Sequence, residues 1–125
     1  MDVVLSPASD TPFYAQIAEQ IAAQIVRGEL AAGAPLPPIR TVARDLGVSV
    51  ITVKKAWDEL ERAGLIDAIV GKGSFVAAHR SDQLTDKREA MALQRLSKDL
   101  VYYRGLGFTR DEFLALARQV YPDAS

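Results

Sequence analysis

Leu46-Gly47-Val48-Ser49 constrains what this chain can fold into more than any other stretch. Before it, from Ile39 to Leu46, the apolar residues Val42, Ala43 and Leu46 mark one face of a short helix. After it, from Val50 to about Ala63, Val53, Ala56, Trp57 and Leu60 fall at i, i+3, i+4 and i+7, the inward stripe of another helix. Gly47 stands where a tight inter-helix turn needs a positive φ. Val48 returns to the core, and Ser49 is a suitable N-cap for the second helix of the pair. Ala43 is small enough to let the two helices approach. Such a pair is a helix-turn-helix candidate, and also the helical hairpin of any small domain.

The flanking sequence narrows the choice. Asp10-Thr11-Pro12 offers a capping side chain followed by a proline at the first helical turn. Ile17, Ile21 and Ile25 then recur every four residues, with Tyr14, Ala18 and Ala22 beside them, and Gly28 ends that helix. Leu30 to Pro38 holds Gly33, Pro35, Pro37 and Pro38 and reads as an extended loop. Beyond Gly64, Leu65 to Val70 and Ser74 to Ala78 read as two short strands joined tightly by Gly71-Lys72-Gly73. His79 to Gln83 is polar and reads as a connector. Leu93, Leu96, Leu100 and Tyr103 form a seam on a helix from about Asp86 to Arg104. Thr109 with Glu112 makes a capping box for a last helix presenting Phe113, Leu116, Ala117 and Val120. The expected fold is mainly α with a small β-hairpin: a winged helix-turn-helix over residues 1–78, then a two-helix extension over 79–125.

Composition removes several function classes. The chain has 125 residues, no cysteine and a single histidine, His79. Thiolate chemistry is excluded, and a histidine metal cage or a His-dependent triad is hard to build. No nucleophile–base pair or phosphate-binding loop is apparent. Asp111 and Glu112 are adjacent on a helix and point apart; acids there suit a helix N-terminus. His79 beside Arg80 is expected to face phosphate or solvent. No metal site, cofactor or enzymatic activity is expected. No apolar run approaches the ~20 residues that span a bilayer, and the N-terminus lacks a signal-peptide pattern, so the expected compartment is the cytoplasm. The net charge is -1. It is unevenly spread: residues 35–80 carry seven cations against five acids, whereas residues 1–34 carry Arg27 against four acids. A nucleic-acid binder is usually more basic, so the spacing of the middle segment must carry that reading.

Helix-turn-helix plus hairpin, in that order, is the winged-helix arrangement. The outer face of the second helix can enter a major groove, and the wing tip brings a cation and backbone N–H groups to phosphates or the minor groove. Phe13-Tyr14-Ala15-Gln16-Ile17, Gly28-Glu29-Leu30, Leu36-Pro37, Arg40, Thr52-Val53-Lys54, Gly64-Leu65-Ile66 and Gly71-Lys72-Gly73-Ser74-Phe75-Val76 extend the pattern. Together they resemble the GntR family of bacterial transcription regulators over roughly Pro12 to Val76. The resemblance implies DNA contacts from Arg40, from Ser49, Val50, Ile51, Thr52 and Lys54 on the recognition helix, and from Gly71, Lys72 and Gly73 in the wing. Lys55 joins Arg40, Lys54 and Lys72 as an expected phosphate contact.

Two departures from the family pattern stand out. Val50 occupies the position after the cap where the family commonly has Arg, and valine cannot make arginine's bidentate contact to guanine. Either Val50 or Ile51 meets a thymine methyl, or specificity rests on Arg40, Thr52 and Lys54. Pro38-Ile39 also departs from the family and alters the entry to the second helix. The 47 residues after Ala78 are expected to be too few for a metabolite-binding effector domain and resemble the reduced tail of the YtrA subfamily, which serves dimerisation. Leu93, Leu96, Leu100, Tyr103, Phe113, Leu116 and Val120 are the expected dimer seam; folding back on the same chain is the alternative. The function expected is a homodimeric regulator, a repressor of a small operon with a palindromic operator, with transporter genes implied by the subfamily. An effector, if any, is unspecified. A winged-helix module for protein–protein contact is the alternative function.

Overall fold

A computed structural model describes residues 1–123. It divides into two compact units, Met1–Arg88 and Glu89 onward. The first contains α1 (Phe13–Val26), α2 (Ile39–Leu46), α3 (Val50–Arg62), β1 (Ile66–Ile69) and β2 (Gly73–Val76), and the start of α4 (Ser81–Gly105). The second contains the rest of α4 and α5 (Arg110–Val120).

Alternating helical stripes build the core of the first unit. Ile17, Ile21 and Ile25 of α1 meet Val53, Ala56, Trp57 and Leu60 of α3, with Val42 and Ala43 of α2 and Leu65, Ile66 and Val76 of the hairpin closing around them. Side chains of this size stabilise by about 1.5–3 kcal/mol each when removed from water. The turn between α2 and α3 follows from Gly47, whose φ of 69° lets Val48 N–H return to the Ala43 carbonyl at 3.0 Å. Val48 then packs against the core. At the far end of α3, Gly64 N–H bonds the Glu61 carbonyl and Leu65 N–H the Leu60 carbonyl, which swings the chain into β1.

β1 and β2 pair antiparallel with Ile66 opposite Val76 and Ile69 opposite Gly73. Both strands are shorter than their apolar runs suggest. Val70 belongs to the turn, and Gly73, expected in the turn, opens β2. The Pro-rich segment before α2 is more than a loop. Gly33 N–H bonds Val76 O, Leu36 N–H bonds Ser74 O and Val76 N–H bonds Ala34 O, so the outer edge of β2 is covered.

Three other expectations change. Pro12, not Asp10 or Thr11, is the N-cap of α1, and no side chain caps that helix. Gln16 takes over the polar groups there: it accepts from Ser6 N–H at 2.8 Å and donates to Ser6 O and Thr11 O. His79, expected to face outward, is half-buried; its Nε2 lies 2.8 Å from Gly64 O and, since a carbonyl only accepts, donates to it. The segment His79 to Gln83 is not all connector, because α4 starts at Ser81. Gln83 Oε1 accepts from Arg80 N–H and Asp82 Oδ1 from Gln83 N–H, so these polar residues satisfy the first turn of a helix. Asp82 is held below the usual aspartate range, foremost by its hydrogen bond from Arg80. Leu84 packs on the core and Lys87 Nζ bonds Ala63 O at 3.0 Å, which places residues 79–88 in the first unit.

The N-terminal arm is also part of this unit. Val3 and Leu5 pack on the core. Between them Val4 N–H donates to Gln20 Oε1 at 2.9 Å and Val4 O accepts from Gln20 Nε2 at 2.7 Å, while Gln24 Nε2 reaches Asp2 O. Glutamines every four residues rise about 6 Å along a helix, close to the ~6.7 Å that two residues of extended chain cover. The amides of Gln16, Gln20 and Gln24 therefore stand in for a neighbouring strand.

In the second unit, α5 begins with the expected capping box: Glu112 N–H donates to Thr109 Oγ1, and Thr109 N–H to Glu112 Oε1. Tyr103 meets Phe113 edge to face at 5.2 Å. Among the described residues no helix is long and apolar enough to cross a membrane.

Candidate nucleic-acid interface

The buried stripe of α3 determines what its other face presents. With Val53, Ala56, Trp57 and Leu60 turned inward, Val50, Ile51, Lys54, Lys55 and Asp58 are exposed, and Thr52 is half-buried. Ser49 caps this helix. Its Oγ accepts from Thr52 N–H at 3.1 Å and lies 2.9 Å from Thr52 Oγ1, so both hydroxyls are engaged in the cap. Lys54 Nζ sits 3.3 Å from Asp58 Oδ1 one turn on, an exposed pair that is cheaply exchanged for another anion. Lys55 Nζ lies 3.9 Å above the centre of the Tyr14 ring, drawn toward α1 by the ring's negative face. Arg40 is exposed in the first turn of α2.

Gly71, Lys72 and Gly73 are exposed at the wing tip. Gly71 and Gly73 have φ of 76° and 104°, conformations that a side chain strains and that a bare tip accommodates. Lys72 N–H closes the turn on Ile69 O at 2.9 Å. Beside it Val70 is 100% exposed, a wing-tip residue that the strand pattern concealed by counting it as part of β1.

The residues expected to form a dimer seam are all in α4 and α5. Leu93, Leu96 and Val120 are exposed; Leu100, Tyr103, Phe113 and Leu116 are half-buried. Leu100, Tyr103, Phe108 and Phe113, with Arg104, Thr109 and Arg110, line an apolar cleft of about 350 Å³. No residue of α4 or α5 is fully buried. Among the described residues no group of three acids and histidines is placed to hold a metal ion.

Known proteins share this arrangement. Residues 13–76 match the family of bacterial regulatory proteins designated gntR. The uncharacterized HTH-type transcriptional regulator YhcF of Bacillus subtilis is 36% identical over 85% of this chain and 87% of its own. The HTH-type transcriptional repressor YtrA of the same organism is 29% identical over 83% of this chain and 82% of its own. Among solved structures, the AraR DNA-binding domain in complex with operator ORX1 is 32% identical, with a TM-score of 0.54 over 62% of this chain and 96% of that one. The matched segment runs from α1 through the wing and contains every residue assigned to the interface, and the chain belongs to the gntR family of bacterial regulatory proteins, in its YtrA-like subfamily, as a DNA-binding transcription regulator rather than an enzyme.

Proposed function

We propose that this protein is a homodimeric repressor that binds a two-fold symmetric operator and controls a small operon, transporter genes included, in the cytoplasm. The exposed first turn of α3, held by the Ser49 cap and the Gly47 turn, is the observation that carries the reading. Each protomer lays α3 in a major groove and contacts base edges through Ser49, Val50, Ile51, Thr52 and Lys54. Arg40, Lys54, Lys55 and Lys72 meet phosphates, and the N–H groups of Gly71 to Gly73 approach the backbone at the wing. Phosphate contacts set the register, and base edges set the sequence.

Dimerisation through α4 and α5 supplies what the second unit lacks. One helical pair with Leu93 and Leu96 half open to solvent cannot bury its own seam, and a two-fold partner brings the same surface to cover it. The two half-sites then lie about one helical turn, ~34–36 Å, or a multiple apart. The operator complex of the AraR domain and the designation of YtrA as a repressor support the reading.

The test is selection of bound duplexes from a random pool by the full chain, followed by gel shifts at two salt concentrations. Recovered sites with two symmetric halves, bound more weakly at higher salt, are expected. A pool that yields no enriched sequence overturns the reading in favour of a winged-helix module for protein contact. Enriched sites without symmetry overturn the dimeric operator.

A further inference from the structure

The N-terminal end of α3 presents methyl groups where hydrogen-bond donors would be expected. Every other apolar residue of α3 is buried, yet Val50 is 46% exposed and Ile51 79% exposed. Neither serves the helix, since β-branched residues are poorer helix formers than the polar residues a surface position usually takes. Their polar neighbours are engaged. The hydroxyls of Ser49 and Thr52 bond each other in the cap, and Lys54 is paired with Asp58. The side-chain atoms left free at this end are aliphatic.

Only one base offers an apolar group in the major groove, thymine with its C5-methyl, and residues at the N-terminal end of a recognition helix are those that reach base edges. We infer that Val50 and Ile51 are the specificity-determining residues of the interface, each packing against a thymine C5-methyl. Neighbouring residues on a helix diverge by about 100°, so the two side chains meet different bases. Each half-site therefore carries two thymines read by contact. This rests on the DNA-binding reading above and deepens it.

The experiment starts from a duplex selected by the full chain. Each thymine is replaced in turn by deoxyuridine, which removes the methyl and leaves the base-pairing and groove hydrogen-bond pattern unchanged. Two positions per half-site are expected to weaken binding about fourfold each when the methyl is lost, the equivalent of one buried methyl-sized group. Val50→Ala and Ile51→Ala should each abolish the sensitivity at one of those positions and leave the other intact. Both substitutions are at exposed helical positions and replace a poor helix former by a good one, so both variants fold. A selected duplex that binds equally well with every thymine replaced overturns the inference and leaves the DNA-binding reading standing, as does a methyl sensitivity that persists in both variants. Failure to select any duplex overturns the DNA-binding reading and this inference together.

Discussion

Lys72→Ala tests the wing, and its effect can be worked out in advance. The ammonium of Lys72 extends from a tip flanked by two glycines, and neither it nor Arg40 is engaged as Lys54 and Lys55 are. On binding, Lys54 and Lys55 exchange their exposed partners for phosphate, so the four cations of each protomer neutralise about eight phosphates per dimer. Counterion release then gives a slope of log K against log salt of about -7.2. Raising salt about twofold should weaken the native complex about 150-fold. Removing Lys72 from both protomers takes away two of the eight contacts and reduces the slope to about -5.4, so the same rise costs the variant only ~40-fold. Anisotropy titrations of a labelled operator at several salt concentrations read both slopes. The substitution touches no core residue, and the hairpin register depends on backbone bonds, so the wing remains in place. A variant that binds more weakly but keeps the native slope refutes the phosphate role. So does one that selects a different sequence, because a phosphate contact carries no sequence information.

Leu96→Asp places a charge in the α4 seam and should give monomers in sedimentation velocity with poor operator binding; an unchanged sedimentation coefficient removes Leu96 from the interface. Gln20→Ala deletes both hydrogen bonds to Val4 and should cost about 1–2 kcal/mol in urea unfolding, with faster amide exchange at Val4; native stability and exchange would mean that the arm is held by Val3 and Leu5 alone. Glu112 is held below the usual glutamate range by its hydrogen bonds from the Thr109 backbone and side chain. Its stabilising contribution to α5 is therefore complete above that range and is lost as pH falls through the lowered value of the folded state. Glu112→Gln keeps an acceptor without the charge, so the α5 amide shifts should lose this acid transition; identical titrations in both proteins would contradict it.

Much of the first unit is legible because its punctuation is local. Gly47, Gly64 and the Gly71-Lys72-Gly73 turn mark ends, the i, i+4 isoleucines mark α1, and the buried stripe of α3 leaves its exposed face as the complement. Ser49, Val50, Ile51 and Thr52 could be placed for that reason. What escapes notice depends on contacts between distant parts of the chain. The pairing of Gly33 to Leu36 with β2 is hidden in a proline-rich run, where hydrogen bonding depends on which edge lies alongside. The glutamine spacing of α1 is visible as a pattern, but its use depends on the course of the N-terminal arm. Lys55 looks like any exposed cation until α1 brings Tyr14 beneath it, whereas the Lys54–Asp58 spacing is readable directly. The start of α4 was obscured because polar residues serve both connectors and first helical turns.

The weak charge of the chain bears on how the proposed dimer discriminates. With a net charge of -1 and four cations at its interface, one protomer makes fewer phosphate contacts than the six to ten of strongly salt-dependent binders. Binding to random DNA is almost wholly electrostatic, so a protomer alone is only weakly drawn to non-operator sequence. The same economy leaves one protomer weakly held even on its correct half-site, because apolar base contacts add only a few-fold each. The second half-site makes up the difference. Once one α3 is seated, a partner fixed through α4 and α5 meets its own half-site at a high effective concentration, and the two readouts multiply. Occupancy then follows dimer concentration more steeply than it follows any single contact. On this reading the apolar seam of α4 and α5 is as much a determinant of specificity as the face of α3.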